Sequence, residues 1–354
     1  LPRVYFAVPG DIEARTGGSV YDRKVMEALR EDGWRVELLT WPASFPFPSE
    51  ACRDDVEDSL AAVPDGALVM IDGLALGVLS GLARREAQRL RLVALVHHPL
   101  ALETGLAPNI AAEFAASERD ALACCRAVIV TSQTTAAIVE AAFGVPGEMI
   151  TVATPGVDKP PEQDRFVHGA PRSPGPARIF AMGSITPRKA HDVLVSALSL
   201  IEDLDWTCVI AGGLDRDPET ADALVMQIAD LGLGDRIALV GEVSETEAAA
   251  LYANADIFAL ASVYEGYGMV FAEAQTYGLA IVATTGGAIP EAIHPGAGLL
   301  VQPGDAEAFA DALRTLVGHN NRRDMLRVVS QDQGLKLPGW DQTAALIAGR
   351  LDQL

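Results

Sequence analysis

The chain has 354 residues, 49% of them hydrophobic and 6% aromatic, with 32 Gly and 21 Pro distributed along it. That length exceeds one ordinary core and suits two α/β domains, and no tract is biased enough to stay unfolded. A formal net charge of −21 would be repelled by phosphate backbones and anionic leaflets, which excludes nucleic acid as a partner and leaves at most weak peripheral membrane contact.

The opening LPRVYFAVPG reads as a strand, Val4–Val8, rather than a signal peptide. No window reaches the ~18–20 uninterrupted apolar residues of a transmembrane helix. Leu1 is an unusual first residue, which allows for a missing leader or tag; the expectation is a soluble, cytoplasmic protein. Further short apolar runs follow at Val36–Leu39, Ala67–Ile71, Leu92–Val96, Ala127–Val130 and Ile150–Ala153, separated by helical stretches such as Val20–Glu31 and Ser132–Ala142. Short strands buried on both faces and alternating with helices predict a doubly wound parallel sheet. Cys52, Cys124, Cys125 and Cys208 form no CxxC or zinc spacing, and Cys124 and Cys125 are adjacent, so they read as free thiols in a reducing compartment.

From Pro155 to Pro176 the text turns to Pro, Gly, Asp and Arg without periodicity, the mark of a linker. The alternation then restarts with strands at Ile179–Met182, Thr207–Ala211, Ile237–Val240, Ile257–Ala261, Ile281–Thr284 and Leu299–Val301, and a last helix begins near Gln342. The predicted organisation is an N-terminal Rossmann-like domain over 1–170, a C-terminal one over 171–337 facing it across a cleft, and a helix over 338–354 returning to the first. Strand C-termini and helix N-termini lining such a cleft present N–H groups and positive dipole ends to anions. Neither half has GxGxxG after its first strand, and no P-loop signature occurs, so dinucleotide dehydrogenases and P-loop NTPases are disfavoured.

The strongest motif is SVYEGYGMVFAEAQTYGLAIVATTGGAIP, starting where the strand Ile257–Ala261 ends. Glu265 sits on the loop and Glu273 about one turn into the following helix, so both carboxylates reach the strand's C-terminal edge. Gly266 and Gly268 permit close backbone approach, and the N–H groups of Gly268, Met269 and Val270 can cradle a phosphate or sugar oxygen. Acceptor carboxylates flanking donor amides suit a ligand with hydroxyls at both ends and phosphates between, which describes a nucleotide sugar.

This stretch, with GEVSETEAAALYANADIFAL before it and GAGLLVQPGDAEAFADAL after it, resembles the E-x7-E region of the retaining glycosyltransferases of family 4. The resemblance covers roughly the C-terminal half. It implies a GT-B fold of two Rossmann-like doubly wound domains, with Glu265 hydrogen-bonding the donor sugar and Glu273 the ribose. In GSITPRKAHDVLVSAL, Gly183 ends a strand, and Lys189 keeps the family's lysine position, able to meet the charge that grows on a leaving diphosphate. Ser184 stands where the family usually has Arg, and Arg188 sits one residue before the lysine.

In the first half, Gly17 and Gly18 before the first long helix resemble the family's Gly-Gly loop, which approaches the donor phosphates. His97 and His98 end a strand; the family often has a histidine here contacting the donor sugar, and the register favours His98, with Glu103 nearby on the acceptor side. Glu118 matches a glutamate common in the family but reads equally as a solvated or capping charge. Asp203 and Asp205 spell a D-x-D in a surface turn and are taken as chance, so no metal and no cofactor are assigned. Glu242, Val243 and Ser244 follow a strand end where a nucleobase would lie.

The expected catalytic set is therefore His98, Lys189, Arg188 and Glu265, and the nucleotide-sugar set Gly17, Gly18, Gly183, Glu265, Gly266, Gly268, Met269, Val270 and Glu273. The implied activity is retaining, metal-independent transfer from a nucleoside diphosphate sugar, UDP-sugar favoured, to a hydroxyl on a small-molecule, glycan or lipid-linked acceptor. The alternatives are a GT-B-fold sugar-nucleotide epimerase, for which no convincing acid–base set is found, and a non-catalytic sugar-nucleotide-binding subunit, suggested only by Ser184. Four lysines against many Arg, Ala and Gly suggest a GC-rich bacterial gene.

Overall fold

The computed structural model describes residues 1–167 and 175–354. Its contacts divide into two compact units, one of Leu1–Gly156 with Pro338–Leu354 and the other of Val157–Leu337. In chain order the first holds β1 (Arg3–Pro9), α1 (Gly17–Glu31), β2 (Arg35–Trp41), α2 (Glu50–Ala61), β3 (Leu68–Asp72), α3 (Gly73–Leu76), α4 (Ser80–Glu86), β4 (Arg91–Val96), α5 (Pro108–Leu122), β5 (Ala127–Val130), α6 (Gln133–Phe143) and β6 (Ile150–Val152). The second holds β7 (Ala177–Met182), α7 (His191–Ser199), β8 (Trp206–Ala211), α8 (Pro218–Asp230), β9 (Ile237–Gly241), α9 (Glu245–Asn254), β10 (Ile257–Leu260), α10 (Met269–Thr276), β11 (Ala280–Thr284), α11 (Ile289–Ala292), β12 (Gly298–Val301), α12 (Ala306–Gly318) and α13 (Asn320–Gly334), after which α14 (Trp340–Leu351) belongs to the first unit.

Each unit contains a six-stranded sheet whose neighbours pair in parallel, in the orders β2-β1-β3-β4-β5-β6 and β12-β11-β10-β7-β8-β9. The alternation of side chains along β10 shows why such a strand must be apolar throughout. Ile257 and Ala259 enter the core on one face of the sheet and Phe258 and Leu260 the core on the other, all fully buried. Several helices begin where a side chain satisfies an open N–H group. Thr16 caps α1 through Ser19, Ser132 caps α6 through Thr135, and Ser244 with Glu247 closes a capping box on α9.

The order of strands reverses between β1 and β3 in the first sheet and between β7 and β10 in the second. At such a switch point the following connections leave for opposite faces, which opens a crevice at the strand C-termini where ligands bind. The loops after β7 and β10 therefore occupy the favoured place on the second unit, and the β1–α1 loop and the end of β3 occupy it on the first.

The linker composition placed the domain junction at 170/171, which lies outside the described residues; the contacts change hands earlier, at Gly156/Val157. Val157 is buried in the second unit's core, and Lys159 donates from Nζ to the carbonyls of Gly334 and Leu337, both at 2.9 Å. Pro338–Leu354 joins the first unit because Thr343 Oγ1 donates to Thr154 O at 2.7 Å and Trp340 packs edge-on against Tyr21.

Candidate active site

On the second unit the site is built from the two loops flanking its switch point. The chain leaves β7 at Gly183, whose N–H donates to Ala211 O at 2.9 Å, and a Cβ on Gly212 would lie 1.9 Å from Gly183 O. Backbone is thus packed on backbone, which holds the Gly183 loop against the end of β8. A single 3-10 turn, Pro187–Lys189, carries both cations, and Ala190 then turns the chain into α7 with φ +48, the left-handed region that favours glycine. The stem of Lys189 folds back over Gly183, where an added Cβ would lie 3.3 Å from its Cδ.

The loop after β10 reaches the same point. Val263 N donates to Arg188 O at 2.8 Å, tying the two loops together. Glu265, 5% exposed, accepts from Lys189 Nζ at 2.6 Å and Ser262 Oγ at 2.7 Å on Oε1, and from Arg188 Nη1 at 3.1 Å on Oε2. Arg188 also donates to Tyr264 O at 2.9 Å. Burial alone would push this carboxyl up, but Lys189 first and Arg188 next carry it down to about 2. Three donors fill most of the roughly four lone-pair sites of a carboxylate, so in this structure Glu265 anchors the cations. Two cations against one carboxylate leave the cluster one net positive charge, the sign that attracts a diphosphate. His191, buried behind the turn, has both ring nitrogens without a hydrogen-bond partner; burial and then the Lys189 charge hold it neutral, pushed down to about 3.

Gly268 begins α10 at φ +94, a conformation costly for any other residue, and no side chain caps the helix. The N–H groups of Met269 and Val270 therefore stand in the first turn of a helix with a positive dipole end. Glu273, on the same helix, accepts from the Tyr252 hydroxyl at 2.9 Å on Oε2. Gly183, Arg188, Lys189, Glu265, Gly268, Met269, Val270 and Glu273 thus share one end of one sheet. Gly266 lies on the same loop, between Glu265 and Tyr267. Ser244, expected beside the base, serves as the cap of α9.

On the first unit Gly17 and Gly18 open α1, and the histidine that Gly18 meets is His97. A Cβ on Gly18 would lie 3.6 Å from the His97 ring. His98, favoured by register, instead lies 3.9 Å from Glu103 through Nε2 and Oε2. The two neighbours point differently because His97 is drawn into an acidic cluster. Its Nε2 lies 2.9 Å from Asp22 Oδ1 and 3.6 Å from Asp72 Oδ2, with Tyr21 edge-on at 5.1 Å. Burial opposes charge on His97, but Asp22 and then Asp72 raise it to about 10. Burial, with Asp72 beside it, raises Asp22 to about 7 against the pull of His97.

Among the described residues this is the single gathering of three metal-ligand side chains. The Asp203 of the D-x-D is an exposed partner of Arg314, at 2.7 and 2.9 Å. Glu118 is buried, accepting from the N–H groups of Leu100 at 2.8 Å and Ala101 at 3.0 Å, and thereby fixes the turn that follows His98–Pro99. Burial pushes its carboxyl up to about 7 despite those bonds. Asp22, Asp72, Ser262 and Tyr252 escaped sequence reasoning. Asp22, a charge next to an aromatic four residues after the Gly-Gly pair, carried the one legible signal.

Residues 162–330 match the family described as Glycosyl transferases group 1, and residues 64–159 match Glycosyltransferase Family 4. The D-inositol 3-phosphate glycosyltransferase of Pseudarthrobacter chlorophenolicus is 28% identical over 96% of this chain and 90% of its own length. Further relatives of that description match over about half of this chain and under half of their own length. Among solved structures, sucrose-phosphate synthase from Thermosynechococcus elongatus superposes with a TM-score of 0.83 at 20% identity, covering 100% of this chain and 99% of that one. Anabaena HepE in complex with UDP superposes with a TM-score of 0.75 at 18% identity, covering 100% of both.

Proposed function

The chain belongs to the glycosyltransferases of group 1, family 4, and from that premise we propose that it moves a sugar from a UDP-sugar to an acceptor hydroxyl, with retention at the anomeric carbon and without a metal. The observation that carries the reading is the Lys189–Glu265–Arg188 cluster at the switch point of the second sheet, with Glu273 on the helix that follows. A nucleoside diphosphate laid along that end would find net positive charge at the phosphates and a carboxylate for the ribose. The UDP held by HepE supports uracil as the base to try first.

As the glycosidic bond breaks, negative charge grows on the leaving phosphate. Lys189 is fixed by Glu265 before the reaction begins, so it stabilises that charge without reorganising, the form of catalysis expected to contribute most. The acceptor oxygen bonds the anomeric carbon on the same face from which the diphosphate departs, and the departing phosphate oxygen takes the acceptor proton, which gives retention without a carboxylate nucleophile. Positioning supplies the rest. The acceptor is a hydroxyl-bearing small molecule, glycan or lipid-linked sugar, and D-inositol 3-phosphate, named for the P. chlorophenolicus relative, is the first to assay.

The test is incubation in EDTA with UDP-, GDP- and ADP-sugars, reading nucleoside diphosphate release beside Glu273→Ala. Release from one donor that fails in the variant supports the reading and names the base. Release that requires added divalent metal overturns metal independence, and no release or binding with any donor overturns the donor site.

A further inference from the structure

Tyr252 lies on α9, 3% exposed, with its ring fixed from several sides. It meets Phe180 edge-on at 4.9 Å and stacks on Phe258 at 5.8 Å and Tyr277 at 5.2 Å. None of those contacts uses the hydroxyl, and phenylalanine would pack as well without the cost of desolvating a polar group. The hydroxyl is placed against α10 instead, 2.9 Å from Glu273 Oε2 and 3.3 Å from Val270 O. Its single proton is directed to the closer, charged oxygen.

Burial first and the Glu273 charge next hold the phenol well above its ordinary range, so it remains a donor. With its proton on Glu273, the hydroxyl fixes the rotamer of a carboxylate that stands one helical turn beyond Val270 on α10. A glutamate otherwise surrenders side-chain freedom when it engages a ligand.

We infer that Tyr252 is a positioning residue for nucleotide binding, holding the Glu273 carboxylate ready to accept the ribose hydroxyls. The inference rests on the donor-site reading above. The aromatic cage makes the ring rigid, the hydroxyl transmits that rigidity to Glu273, and the carboxylate meets the ligand already oriented.

The experiment is calorimetric titration of the full chain with UDP, 2′-deoxy-UDP and 3′-deoxy-UDP, for wild type, Tyr252→Phe, Glu273→Gln and Glu273→Ala, with thermal unfolding of each. Wild type is expected to bind at least one deoxy analogue ~10-fold more weakly than UDP, the size of one hydrogen bond to a charged group. Tyr252→Phe is expected to melt with wild type, weaken UDP ~10-fold, shrink the deoxy penalty to ~2–3-fold, and change kcat at saturating donor by under ~3-fold. Glu273→Gln, which preserves shape, should show the same shrunken penalty. A Tyr252→Phe protein that binds UDP like wild type and keeps the full deoxy penalty overturns the inference. Failure of wild type to bind UDP, or a deoxy penalty absent in wild type or retained in Glu273→Ala, overturns the donor-site reading, and the positioning role with it.

Discussion

Lys189 and Glu265 are 76 residues apart in sequence, and Nζ lies 2.6 Å from Oε1. β7 and β10 are neighbours in the second sheet although β8 and β9 intervene in the chain, so the loops that follow them open side by side. Lys189 and Glu265 are therefore one ion pair, and the consequences of that pairing are measurable.

Removing the lysine charge should slow the chemical step. Lys189→Ala is expected to lower kcat by ~10²-fold or more, the usual cost of deleting a preorganised electrostatic contact at a leaving group. Arg188→Ala, whose guanidinium also serves Tyr264 O, is expected to raise the donor KM as well. Steady-state kinetics on folded variants would decide the matter, and a Lys189→Ala kcat within ~3-fold of wild type would refute the catalytic role.

Acid should weaken the cluster in a defined window. Glu265 is held at about 2, below its ordinary 4.5, so its contribution to stability is complete above pH 4.5 and disappears as pH falls from 4.5 through 2. Glu265→Gln should therefore be less stable than wild type at pH 7, with the gap closing in that window. Urea midpoints between pH 7 and 3 measure it; a gap independent of pH would mean that charge is not what Glu265 contributes.

His97 should titrate far above an ordinary histidine. Raised from 6.5 to about 10, it contributes stability that is present below pH 6.5 and is lost as pH rises through 10. Asp22→Asn should move the titration back toward 6.5 by at least ~1 unit, since the nearest counter-charge is gone. The ring proton shifts followed by NMR report this directly, and a wild-type midpoint near 6.5 would contradict the charged cluster.

Ala190 is held in a left-handed conformation at φ +48, which costs an L-residue ~1–2 kcal/mol, part of which glycine gives back as unfolded-state entropy. Ala190→Gly is expected to stabilise the protein by roughly 0.5–1 kcal/mol in denaturant unfolding. A variant less stable than wild type would show that the Ala190 methyl, buried at the start of α7, contributes more through packing than its backbone strain costs.

Much of the fold was legible in the sequence. Among the described residues each of the twelve strands stands within a residue or two of an apolar run, and inner strands such as β3, β5, β10 and β11 are apolar along nearly their whole length because both faces are buried. The E-x7-E loop and its glycines were legible too, since glycine spacing and a strand end are local features. Local pattern also fixed the places where Gly183, Lys189, Glu265 and Glu273 would stand.

What local pattern could not supply was the partner of each charge. That Lys189 and Arg188 close on Glu265, that Tyr252 reaches Glu273, and that His97 rather than His98 meets Gly18 between Asp22 and Asp72, all follow from strand order. Likewise the junction at Gly156/Val157 follows from which core buries Val157, not from where proline and glycine accumulate. The sequence by itself determined the strands, the class of fold and the motif, because periodicity and backbone freedom act over a few residues. Only the tertiary structure decided which side chains neutralise one another, because a buried charge is satisfied by whatever the sheet topology brings within ~3 Å of it.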